Sequence, residues 1–214
     1  MSNYKMAIFD LDGVIVDTAK YHYFAWKELA NELGFDFTYV HNERLKGVSR
    51  DCSLEILLEV GEMSDKFTLE EKQVMADEKN RRYLSYINQI NQDTILPGVK
   101  ELLTTLKKRG IKVGLGSASK NALKILNRLD ITTLFDVIID GNATQRAKPD
   151  PEVFLLGATA LEMSPNDCLV FEDAQAGIDA ALAAGMDVIA VGHSEDLTGA
   201  MLYVENLADK AIII

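Results

Sequence analysis

Basic residues are in short supply in this chain. Against 33 Asp and Glu stand 22 Lys and Arg, a formal net charge of −11 over 214 residues. Without a cationic surplus a surface cannot neutralise a run of phosphates, which excludes a non-specific nucleic-acid binder. A single phosphate ligand has to be held locally, by a few placed cations or a metal, against an unfavourable overall field. Cysteine is scarce too. Cys52 and Cys168 lie far apart and form neither a metal-ligand nor a redox spacing, so both read as ordinary thiols of a reducing compartment. No apolar run is long enough to span a bilayer. The first residues, Met1-Ser2-Asn3-Tyr4-Lys5, lack the basic and apolar regions of a signal peptide. These absences predict a soluble, cytoplasmic protein with no membrane and no nucleic-acid partner. Internal repeats and low-complexity segments are missing as well.

What is present is apolar residue in quantity, 48% of the chain, enough for a sizeable core. The length suits one large α/β domain or a core carrying an insertion. Five short apolar runs read as buried parallel strands: Met6 to Phe9, Lys112 to Gly116, Val137 to Asp140, Cys168 to Phe171, and Val188 to Val191. Segments of helical period alternate with the later four: Val99 to Lys108, Asn121 to Leu129, Pro151 to Leu161, and Gly177 to Ala184. Strand, helix, strand at this spacing predicts a doubly wound parallel sheet, a three-layer α/β/α sandwich. Residues 18–94 break the alternation. Trp26, Leu29, Ala30 and Leu33 share one helical face; Leu54 to Val60 marks a second helix; Leu69 to Ile90 reads as one or two more. A helical block there predicts a cap of residues 18–94 inserted into a core of 1–17 and 95–214, its two chain crossings acting as hinges. The terminal Ile212-Ile213-Ile214 is a candidate for a last strand.

Chemistry concentrates where the strands end. Asp10 and Asp12 follow the first strand, and residues two apart on an extended chain point the same way. Two anions held that close repel, which invites either a divalent metal or a shared proton; capping of the next turn is the structural alternative. After the second strand comes Ser117-Ala118-Ser119, after the third Lys148-Pro149, after the fourth Glu172-Asp173. Ligands of open α/β sheets bind at this carboxyl edge. Taken singly, Ser117 reads as a helix N-cap and Lys148 as a solvated charge; four reactive groups in successive units read as a site.

These motifs, in this order, resemble the haloacid dehalogenase superfamily, and the resemblance spans essentially the whole chain. Within it the chain is most similar to the β-phosphoglucomutase family. That closer likeness is carried by Asp17-Thr18-Ala19 with His22 and Trp26, by Leu45-Lys46-Gly47-Val48-Ser49-Arg50, by Ser117-Ala118-Ser119-Lys120-Asn121, and by Glu172-Asp173-x-Gln175-Ala176-Gly177-Ile178. Ala174 departs from the pattern, since similar enzymes commonly carry serine there, and this predicts a looser hydrogen bond behind the metal site.

The resemblance implies that Asp10 is a nucleophile that becomes an aspartyl-phosphate, and Asp12 a general acid. It implies Mg2+ as cofactor, on Asp10, the backbone carbonyl of Asp12, and Asp173, with Glu172 assisting through water. Ser117 and Lys148 would hold the transferring phosphoryl group. Arg50 would grip a second phosphate, helped by Asn121 from the core, while Lys46, Gly47 and Val48 lay the cap loop over the sugar. Ser49, Ser53, Ala118 and Ser119 would add substrate contacts, Lys79 and Asn80 would meet the sugar, and Thr18 and His22 would couple cap closure to Asp12. Trp26 is assigned to cap packing; solvated helix charges are the alternative for Arg50, Lys46 and Lys79. The implied activity is interconversion of β-glucose 1-phosphate and glucose 6-phosphate, with a phosphosugar as partner; a monomer is the expected state. A sugar-phosphate or phosphoglycolate-type phosphatase and a silent phosphosugar-binding protein are the rivals.

Overall fold

The structure is a computed structural model that describes residues 4–212. Six strands form one sheet: β1 (Met6–Phe9), β2 (Lys112–Gly116), β3 (Val137–Ile139), β4 (Cys168–Glu172), β5 (Asp187–Val191) and β6 (Leu202–Val204). Their order is β3-β2-β1-β4-β5-β6, and every neighbouring pair is parallel. The sheet is α/β and doubly wound, as the alternation predicts. The sixth strand is not the terminal isoleucine run. Ile212 is not in a strand, and Ile213 and Ile214 fall outside the described residues, as do Met1, Ser2 and Asn3.

Central strands are apolar on both faces because helices cover both. Ala7 and Phe9 of β1 pack toward α5 (Val99–Lys108) and α6 (Ala122–Arg128). Met6 and Ile8 pack the other way, toward α7 (Glu152–Ala160) and α8 (Gln175–Ala183). Alternation along the pleat divides one strand between two cores. Phe9 and Phe171, paired in register, stack with centroids 4.6 Å apart. Strand order reverses between β1 and β4, so the acidic strand ends of both lie at the switch point where such sheets bind ligands.

A third core is separate from the sheet. It joins α1 (Ala19–Glu32), α2 (Tyr39–Glu43), α3 (Arg50–Val60) and α4 (Leu69–Ile87) around Trp26, Phe37, Leu54, Leu57 and Leu58. Full burial of such side chains contributes about 1.5–3 kcal/mol each. α4 is one helix of 19 residues, started by a capping box in which Thr68 Oγ1 accepts from the Glu71 N–H and Glu71 Oε2 from the Thr68 N–H. α2 has no counterpart in the sequence reading; five residues are too few to show a period. The chain leaves and re-enters the sheet at adjacent points: Val16 bridges Ile95, and the Leu96 N–H donates to the Ile15 carbonyl at 3.0 Å.

Candidate active site

Asp10 stands at the end of β1, its N–H bonded to the Phe171 carbonyl of β4 at 2.9 Å. Beside it Lys148 is sunk to 3% exposure, its Nζ 2.6 Å from Asp10 Oδ1 and 2.5 Å from Glu172 Oε1. Burial opposes the ammonium charge, but Asp10 and Glu172 outweigh it and hold Lys148 protonated beyond the usual lysine range. The other oxygen of Glu172 accepts the Ala174 N–H at 2.9 Å. Lys148 is therefore a clamped cation, not a solvated one, and both oxygens of Glu172 are engaged by protein groups.

Asp12 receives a hydrogen bond from the Thr18 hydroxyl. Burial, then repulsion from Asp10 and Glu172, pushes its pKa up to about 8, although Lys79 and Lys148 pull the other way. Asp173 is likewise raised well above the carboxylate range, by burial first and then by Glu172 and Asp10; Lys46 partly offsets this. Gly13 explains how Asp173 comes so close. Its φ is +84°, and a Cβ at that position would lie 2.0 Å from Asp173 Oδ2. Four carboxyl groups thus converge near one clamped ammonium, and burial, followed by mutual repulsion, raises Asp12 and Asp173 above the ordinary carboxylate range. That donor set, hard oxygens with an excess of negative charge, suits a small divalent cation. Among the described residues no three His, Cys, Asp or Glu side chains form a metal cage by themselves. An ion here would therefore draw on a backbone oxygen and water as well.

Ser117 is buried, and its Oγ accepts the Ser119 N–H at 3.1 Å. It does not cap α6, whose N-cap position is Asn121; its hydroxyl proton is left to donate. Asn121 makes no capping bond either. Its Nδ2 donates to Asn80 Oδ1 at 2.9 Å, and Arg50 Nη2 donates to the same oxygen at 2.9 Å. One amide oxygen thereby ties α3 and α4 to the sheet unit.

A cavity lies between the sheet edge and the helices. Its floor carries Asp10, Asp12, Asp173, Ser117, Ala118 and Ser119, with Asn121 at the rim. Its roof carries His22, Lys46, Gly47, Val48, Arg50 and Ser53, and then Lys79 and Asn80. Thr18, Lys148 and Glu172 reach the site through Asp12 and Asp10 rather than as part of this wall. Ser49 faces a second cleft, which Lys148 also lines, and caps α3 by accepting the Cys52 N–H at 3.2 Å. Gly47, at φ +73°, brings the loop before α3 against the start of α8: a Cβ there would lie 3.0 Å from the Ala174 Cβ. Lys79 is buried, with Nζ 2.9 Å from His22 Nδ1 and 4.3 Å from the Trp26 ring centre. Burial, and then the charge of Arg50, holds Lys79 well below the usual lysine range.

Sequence reasoning missed Ala19, Asn42, Leu45 and Lys120 as parts of the wall and gave Trp26 to packing alone. Lys120 was within reach of that reasoning, as a cation in the loop after β2; it also faces Asp51 of α3 across 4.0 Å. Trp26 does both jobs, 1% exposed and lining the cavity.

Residues 7–191 match the family model described as haloacid dehalogenase-like hydrolase. The chain is 46% identical over 208 residues to β-phosphoglucomutase of Bacillus subtilis (strain 168), covering 97% of this chain and 92% of that one. It is 35% identical over 190 residues to a phosphorylated carbohydrates phosphatase of Thermotoga maritima, covering 87% and 85%. The crystal structure of β-phosphoglucomutase from Clostridium difficile superposes with a TM-score of 0.92 at 48% identity, covering 95% of this chain and 92% of that one. With its sheet order, strand-end motifs and helical insert all in place, the chain belongs to the haloacid dehalogenase-like hydrolase family and, within it, to the β-phosphoglucomutase group.

Proposed function

We propose that this chain is a Mg2+-dependent phosphomutase that interconverts β-glucose 1-phosphate and glucose 6-phosphate through an aspartyl-phosphate on Asp10 and β-glucose 1,6-bisphosphate. One observation carries the reading: a carboxyl that keeps its proton to about pH 8, Asp12, stands two residues from a carboxylate paired with a buried lysine, Asp10. Attack on phosphorus needs the second group, and expulsion of a sugar alkoxide needs the first. A positioned general acid is typically worth about 10²–10⁴-fold.

In this mechanism the Asp10 carboxylate attacks the phosphoryl group and the Asp12 carboxyl protonates the departing sugar oxygen. In the reverse sense, Asp12 accepts the proton of the other hydroxyl as that oxygen attacks the phosphorylated Asp10. Lys148 and Ser117 hold phosphoryl oxygens, and Glu172 holds Lys148 in place. Arg50, through its fork of donors, takes the distal phosphate, with Asn121 beside it. Asp10, the backbone carbonyl of Asp12, and Asp173 would hold Mg2+, with Glu172 reaching it through water. When bound, the ion screens the repulsion between a carboxylate and a phosphate. Residues 18–94 serve as the cap and 1–17 with 95–214 as the core. The Gly47 loop, pressed on Ala174, helps keep water from the aspartyl-phosphate. The enzyme works as a cytoplasmic monomer on a phosphosugar partner.

The test is incubation with Mg2+, β-glucose 1-phosphate and a trace of bisphosphate. Accumulation of glucose 6-phosphate is expected. Release of inorganic phosphate without isomer would overturn the mutase in favour of a phosphatase.

A further inference from the structure

Asn42 is a buried amide in the cavity wall with nothing bonded to its oxygen. Tyr39, Val40 and Glu43 of the same short helix are exposed, whereas Asn42 is 6% exposed. Its backbone is already satisfied: its N–H donates to the Thr38 carbonyl at 3.1 Å and its carbonyl accepts the Leu45 N–H at 2.9 Å. Its side-chain Oδ1 is shut off from water and has no partner. Leaving such a group unpaired costs about 1–3 kcal/mol, so packing alone favours an apolar residue of that size. The cost is offset if a ligand supplies the missing bond. Asn42 lines the same cavity as Asp10, Asp12 and Arg50, and His22 Nε2, on the same wall, is also buried without a partner.

The ligand group can be narrowed by charge. The phosphoryl positions have their own cations, Lys148 at one end and Arg50 at the other. A neutral carboxamide, which both donates and accepts, matches a hydroxyl, which does the same. The terminal torsion of asparagine is soft, so a modest rotation turns either amide atom to the cavity. We infer that Asn42 reads a ring hydroxyl of the hexose held between the two phosphoryl positions, and so determines which hexose phosphates are isomerised. This rests on the phosphomutase reading above.

The experiment compares kcat/KM of wild type and Asn42→Leu on β-glucose 1-phosphate and its 2-, 3- and 4-deoxy analogues, with Mg2+ and a trace of bisphosphate. Wild type is expected to disfavour one deoxy analogue by roughly 10- to 100-fold, the scale of a lost buried hydrogen bond. Asn42→Leu is expected to bring that one ratio close to unity and leave the other ratios as they were. Equal losses on all four substrates, or ratios that do not move, would overturn the assignment while leaving the mutase standing. If wild type forms no glucose 6-phosphate, the mutase reading fails and the role of Asn42 fails with it. Should Asn42→Leu not fold, by thermal melting, Asn42→Ala is scored by the same ratios.

Discussion

Asp12→Asn should stabilise the metal-free protein, and by an amount that grows with pH. The Asp12 carboxyl goes from an ordinary 3.8 to about 8 in the fold. A carboxyl whose folded pKa lies above its unfolded one favours the fold while it is protonated there. That contribution is full below about pH 4 and is lost as pH rises through about 8. Each pH unit in between is worth about 1.4 kcal/mol, so from pH 5 to 8 the loss reaches at most about 4 kcal/mol. Asp12 borders an open cavity, and solvent screening brings this nearer to about 2 kcal/mol. Asparagine keeps an oxygen for the Thr18 hydroxyl and never ionises, so the variant escapes the loss. For a chain of this size the melting temperatures should separate by roughly 4–8 °C more at pH 8 than at pH 5. Relief of Asp173, which Asp12 also repels, acts in the same direction. The assay is thermal unfolding in a chelator across pH 5 to 8. Adding Mg2+ should narrow the gap, because the ion stabilises the ionised carboxylates. Melting curves that stay a constant distance apart across this range would refute the reasoning.

Other perturbations address the neighbouring groups. Lys148→Met leaves Asp10 and Glu172 buried without their cation and should cost about 3–5 kcal/mol in urea unfolding. Adding Glu172→Gln should restore part of that stability, and no restoration would mean that the ammonium is not what holds the pair. Arg50→Ala should lower kcat/KM for isomerisation roughly 10- to 150-fold, the worth of a charge-assisted hydrogen bond. Hydrolysis of a small phosphomonoester should fall far less, and equal falls would remove Arg50 from the distal phosphate. Gly13→Ala drives a methyl into Asp173 and should weaken Mg2+ binding by about 10- to 100-fold in calorimetric titration. Wild-type affinity there would detach Asp173 from the ion.

How far the molecule could be read in advance follows from where its constraints act. β1 and β4 are buried on both faces, so each shows up as an unbroken apolar run ending in acid. β6 has three residues, of which Leu202 and Tyr203 are only half-buried, and no such run exists to be seen. Asp10, Asp12, Lys148 and Glu172-Asp173 were legible because each follows a strand, and parallel strands deliver their ends to one edge. Their division of labour was not legible. That Glu172 holds Lys148, or that Asn80 receives both Arg50 and Asn121, depends on contacts between distant segments. A lone asparagine such as Asn42 carries no pattern at all; it stands out only once its burial and missing partner are known. Ala174 was expected to slacken a bond behind the metal. The structure gives its N–H to Glu172 and its methyl to the Gly47 loop.

The side-by-side exit and return of the chain, Ile15 against Leu96 and Val16 against Ile95, has an architectural consequence. An excursion that begins and ends at one spot adds nothing to the pairing of the strands, and what ties it to the sheet is packing, with Ala25, Tyr83 and Ile87 buried in one core with Phe9 and Leu115. In the function proposed above, the groups that act on the phosphate ester stay with the sheet, and most contacts to the sugar come from the helices of the insert. A foreign helical insert grafted between Val16 and Ile95 would have to supply again the Thr18 hydroxyl on Asp12 and the Asn80 oxygen that receives Asn121.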